Sequence, residues 1–138
     1  MNRVISFVGL VLIVAMARLL PHPPNFTPLL AVATFAGAKS PSRWIGYVLP
    51  VIALVLTDLV RGAHYLMPLI AICLVIMVAM GELTEKWTVG KAKFSIIFAF
   101  AATGFLASAF FFLVTNFAVW KTTTIYPMTI DGLWTSYL

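Results

Sequence analysis

Four apolar runs, each as long as a bilayer is thick, constrain this chain more than anything else in its sequence. A helix needs roughly 20 mostly apolar residues to cross a hydrocarbon core, with about 17 as a practical minimum. Residues 4–20, 44–60, 65–81 and 94–114 meet that requirement. A fifth stretch, PLLAVATFAGA at 28–38, is shorter and approaches spanning length only if its helix extends over about 25–40. The alternative, a re-entrant or interfacial piece, stays open. The tail, DGLWTSYL at 131–138, reads either as the entry to a further apolar segment or as chain lying at the interface. The pattern predicts an all-α, polytopic transmembrane helical bundle of about five spans, forming one domain over 1–138. Residues 121–138 supply an outer loop and the start of a last helix.

Water is a poor solvent for such a chain. It is 62% hydrophobic and 9% charged, with a mean hydropathy of +1.06. A soluble domain of this size buries only about 70% of its unfolded surface, so much of the apolar excess would face water. The nine Lys and Arg that give a formal charge of +5 are scattered singly between apolar runs, which argues against a nucleic-acid face. Lipid is the expected surrounding partner. Cys73, the one cysteine, excludes a disulfide framework and CxxC metal spacing.

The short-loop cations set an orientation. With Arg3 on the cytoplasmic side, Lys39, Arg43, Lys86, Lys91 and Lys93 fall there too, leaving Arg18, Arg61 and Lys121 outside. The expectation is a multi-pass protein of the bacterial cytoplasmic (inner) membrane with its N-terminus inside. Trp44, Trp87 and Trp120, with Tyr65 and Tyr126, sit near span ends, where aromatic belts form. The first run also fits a signal peptide, with Arg3, an apolar stretch over 4–14 and AMA at 15–17. Cleavage there would leave the remaining topology unchanged.

Within lipid, helices associate where small residues let backbones approach. Ser95, Ala99, Thr103 and Ala107 form such a seam, and Phe98, Phe105 and Phe112 recur along another stripe. Ala33 and Gly37 form a shorter one. Pro50 removes a backbone donor inside the 44–60 segment and predicts a kink. Pro68 falls in a first turn, where it is tolerated.

Ionisable and strongly polar groups near spans pair, snorkel or serve function. On this topology Arg18, Asp58 and Asn116 close their spans at the outer side, and the outer loops add His22, Asn25, Thr27 and His64. These seven residues are the candidate ligand-binding set. Each has an ordinary alternative: Arg18 can snorkel, Asp58 can pair with Arg61 across one helical turn, the histidines can hydrogen-bond at the interface, and Asn116 can anchor a helix end. Glu82, Glu85, Lys86, Lys91 and Lys93 look like an ordinary solvated connection on the inner side. No GxSxG, HExxH, phosphate loop or paired carboxylates in one span is present, so no enzyme is expected. Nothing in the sequence names a cofactor or a metal site. Pro21, Pro23 and Pro24 make the first outer loop stiff, Asn25 or Thr27 can cap the next helix, and Pro28 suits its first turn. The open N–H groups of that helix beside Arg18 and His22 form a donor-rich corner.

The stretches RLLPHPPNFTPLLAVATFAGA (18–38), LPVIALVLTDLVRGAH (49–64), FFLVTNFAVW (111–120) and YPMTIDGLWTSY (126–137) resemble a family of small bacterial integral membrane proteins of unassigned function. Its PHPPNFTP and TNFxVW signatures recur here, and the resemblance covers nearly the whole chain. The layout of that family is similar to the S components of energy-coupling-factor vitamin transporters, which have six short helices and a ligand pocket at the outer face. The resemblance implies binding of a small polar or vitamin-like ligand at the outer face. Two departures stand out: Gly9, Ile13 and Ala17 do not supply the AxxxA pattern with which S components dock an energising module, and a sixth helix is missing. The rival expectation is a structural or accessory subunit that packs against membrane protein partners through its small-residue seam.

Overall fold

The computed structural model describes residues 3–17, 19–20 and 28–138. Among them every regular element is helical: α1 (Arg3–Ala17), α2 (Leu29–Lys39), α3 (Arg43–Arg61), α4 (Met67–Thr88), α5 (Lys93–Thr122) and α6 (Ile130–Thr135). The all-α expectation holds. Of these helices α3, α4 and α5 are long and apolar enough to cross a membrane. The 11-residue α2 rises only about 16 Å at 1.5 Å per residue, roughly half a hydrocarbon core. Pro28 occupies its N-cap position and offers no side-chain cap. Asn25 and Thr27, the expected caps, lie outside the described residues.

Two helices outrun their apolar runs. α4 continues beyond residue 81 through Glu82–Lys86 to Thr88, and α5 continues past residue 114 to Thr122. For α4 the reason is local. Glu82 and Lys86 are four apart with the acid first, the better order for a helical ion pair, and their side chains meet at 2.6 Å. α3 runs unbroken through Pro50, whose ring withholds the donor that would reach the carbonyl of Gly46.

α2 is the hub, packing on α1, α3, α4 and α5, whereas the backbones of α3 and α5 do not come close to one another. The α2–α4 seam is the tightest. A Cβ on Gly37 would collide with the carbonyl of Val78, and one on Gly81 with the carbonyl of Thr34. The two glycines thus admit each other's helix backbone reciprocally, which is how close packing is achieved where burial from water supplies no drive. Around this seam Leu29, Ala33, Leu54, Cys73, Leu74, Met77 and Val78 form the main core. A second cluster joins Phe7 and Val11 of α1 to Val32, Ala36 and Leu49.

On α5 the small residues face inward and the large ones outward. Ala99, Thr103, Ala107, Phe111 and Thr115 are buried, while Phe105 is 75% exposed and Phe98 and Leu106 are exposed beside it. That inversion suits a helix whose outer face meets acyl chains. The predicted seam is therefore used inside the chain, against α4. There Thr103 and Thr84 hydroxyls meet at 2.6 Å. Thr84 already donates to the Met80 carbonyl at 2.9 Å, so Thr103 is the donor between helices. Thr103→Val is expected to cost about 0.6 kcal/mol, the average for a hydrogen bond between membrane helices. Thermal unfolding in detergent measures it, and a cost near zero would show that the bond adds nothing to packing.

The tail turns back on α5. Trp120 Nε1 donates to the Pro127 carbonyl at 3.0 Å, Thr129 caps α6 by accepting from the Gly132 amide at 3.1 Å, and the Tyr137 hydroxyl donates to the Leu113 carbonyl at 3.1 Å. Residues 131–138, read either as the entry to a further segment or as chain at the interface, form most of the short α6 and its exit.

Candidate functional site

The helix ends sort into two groups. One, the charged end, holds the end of α2, the start of α3, the end of α4 and the start of α5. Phe7 of α1 stacks on Phe35 of α2 at 6.0 Å, so α1 begins at this end too. The other, the far end, holds the end of α3 and the start of α4, and contains the candidate residues that can be described.

Asp58 lies in the last turn of α3 and is 1% exposed. After Arg61 the helix stops at Gly62, whose φ of 99° is open to glycine and costly for other residues. That turn sends the chain back over the helix end, and His64 arrives with Nε2 3.4 Å from Asp58 Oδ2. The His64 carbonyl accepts the Met67 amide at 3.0 Å and so leads into α4. Thr57, the buried neighbour of Asp58, donates to the Ala53 and Leu54 carbonyls. The result is a carboxylate sealed inside the helix bundle and reached by an imidazole that is partly open to the surroundings. Such a pair can hydrogen-bond a polar ligand group that enters past the imidazole.

The remaining described candidate stands apart. Asn116 lies on α5, which does not pack on α3, and its amide donates to its own helix at the Phe112 carbonyl, 2.8 Å away. Arg18, His22, Asn25 and Thr27 lie outside the described residues. The structure thus unites Asp58 with His64 and holds Asn116 on a separate helix.

The charged end carries a network that its loop-like composition concealed. Tyr47 donates to Glu82 Oε2 at 3.0 Å, Arg43 Nε lies 3.4 Å from the same oxygen, and Lys86 takes Oε1. Lys39 of α2 meets Glu85 of α4 at 2.7 Å. Three helices are clasped by two acids of α4. The Glu82 and Lys86 spacing was the sequence signal; the reach of Tyr47 across from α3 had none.

A groove of about 430 Å³ runs between α2 and α5, lined by Leu30, Ala31, Phe35, Phe100 and Gly104 among others, with Lys39 at one end. Among the described residues no three His, Cys, Asp or Glu side chains converge as metal ligands would.

No curated protein and no solved structure matches the chain. One family model matches residues 1–138 in full, and the chain belongs to that family, described as a family of unknown function (DUF6580).

Proposed function

We propose that this protein binds a small polar or vitamin-like ligand at its far end, in the manner of a transporter S component, with Asp58 and His64 in the site. The observation that carries this reading is the buried Asp58 carboxylate with the His64 imidazole 3.4 Å away at an open edge. A carboxylate held out of water within a spanning segment is expensive, and function is the usual reason for one. On this reading α1 and α2 complete about five spans, and the short-loop cations place the N-terminus and the charged end on the cytoplasmic side of a bacterial inner membrane. The far end then faces outward, the side to which the sequence assigns Arg18, His22, Asn25 and Thr27.

A second reading, an accessory subunit of a larger membrane complex, draws on the α2–α5 groove. Gly104 lines it, and a Cβ there would meet nothing within 4 Å. Native mass spectrometry of the full chain, purified in mild detergent, separates the two. The ligand reading expects the chain to carry a small-molecule mass. Stoichiometric partner chains with no added small mass would overturn it in favour of the second.

A further inference from the structure

The charged end holds a second feature that the ligand reading does not use. Between α1 and α3 runs an apolar groove of about 300 Å³, lined by Val8, Trp44, Ile45, Val48, Leu49 and Ile52. Trp44 also lines a separate cleft of about 430 Å³ that Arg43 and Tyr47 border. The indole therefore divides a strip of hydrocarbon from a corner with a cation.

The groups at that corner are arranged for a phosphodiester. Arg43 has a side chain 75% exposed, and its Nε faces Glu82 at 3.4 Å. A guanidinium presents a planar fork of donors that matches phosphate oxygens two at a time. Trp44 is 81% exposed, carries one indole N–H donor, and belongs to the residue type that settles at the headgroup level of a bilayer. Tyr47 gives its hydroxyl to Glu82 and so serves as wall rather than donor. Around the corner the charged end gathers Lys39, Arg43, Lys86 and Lys93 against Glu82 and Glu85. The excess is positive, and it favours a negative headgroup over a zwitterionic one.

We infer that the α1–α3 groove and the Arg43–Trp44 corner together form a binding site for one anionic phospholipid, with the phosphate on Arg43 and an acyl chain along Val48 and Ile52. Charge complementarity at the end of an apolar groove singles out this occupant. A partner helix would fill the groove and leave the corner without an anion. A free phosphate would fill the corner and leave the groove bare.

The test titrates the full chain in detergent with phosphatidylglycerol or phosphatidylcholine and counts retained lipid by native mass spectrometry. The site predicts one phosphatidylglycerol retained in preference to phosphatidylcholine. Arg43→Gln should weaken phosphatidylglycerol retention about fivefold, since a basic residue near a headgroup contributes about 1 kcal/mol. Lys91→Gln makes the same change of charge on the α4–α5 connection, where the Lys91 ammonium sits 3.1 Å over the Trp87 ring, and should leave retention unchanged. Ile52→Trp, which fills the groove without altering charge, should weaken retention of both lipids. Glycerol phosphate, a headgroup without chains, should fail to compete. Equal losses in Arg43→Gln and Lys91→Gln would reduce the effect to general surface charge and overturn the site. So would wild-type retention in Ile52→Trp, or full competition by glycerol phosphate.

Discussion

Gly81→Ala should be among the most damaging single-methyl changes in this protein. The added Cβ meets the Thr34 carbonyl, a backbone atom that cannot swing aside as a side-chain tip can. Either α4 moves off α2 or both helices bend. The reciprocal contact of Gly37 with Val78 lies on the same seam, so moving the helices apart loosens both glycine contacts and the core of Ala33, Leu74, Met77 and Val78 that closes around them. Overpacking a well-fitted interior costs about 1–3 kcal/mol, and the upper part of that range applies where backbone meets backbone. Gly104→Ala is the matched control. It adds the same methyl to α5 where nothing lies within 4 Å, and should be neutral or stabilising by up to about 1 kcal/mol through helix propensity. Unfolding of the two variants in detergent gives the comparison directly. Equal stabilities would mean that α2 and α4 are not in close contact.

The unequal legibility of the sequence has physical causes. α3, α4 and α5 were readable because hydropathy is summed over many residues, and a run of twenty apolar side chains has few alternatives to a helix in lipid. Their ends were less readable. Residues after Met80 and Val114 turn polar whether the chain leaves the helix or the helix simply continues beyond the apolar run, and composition does not distinguish these cases. Gly81 was missed for a different reason. It has no small neighbour at a spacing of four on its own helix, and its partner Thr34 belongs to α2, so nothing local marks it. Asp58 and His64 were readable as individuals, since a carboxylate at the end of an apolar run is conspicuous. Their meeting was not, because it depends on the backbone turn at Gly62. Asn116 shows the converse. Its position marks it as a candidate, and one of its two amide N–H donors goes to a carbonyl one turn away in the same helix.

Asp58→Asn and His64→Ala separate a ligand site from a structural ion pair because stability and ligand retention respond differently in the two roles. Asp58 is sealed in the bundle, while the His64 side chain is 38% exposed. Asparagine keeps the shape of the acid and removes the charge, and the imidazole left behind can turn to water or headgroups. Since burying a carboxylate is itself costly, this change should alter stability little. His64→Ala leaves the buried carboxylate and deletes a partner, which should cost more, about 1 kcal/mol after allowing for the exposure of the ring. Stability therefore ranks His64→Ala as the worse change. Ligand retention should fall in both, by about 10- to 200-fold, the equivalent of one hydrogen bond to a charged group. Asn116→Ala, whose side chain bonds within its own helix, should retain ligand nearly as the parent does. An Asp58→Asn protein that melts far below the parent yet retains its ligand would make the pair a structural clasp, and would remove the observation on which the ligand reading stands.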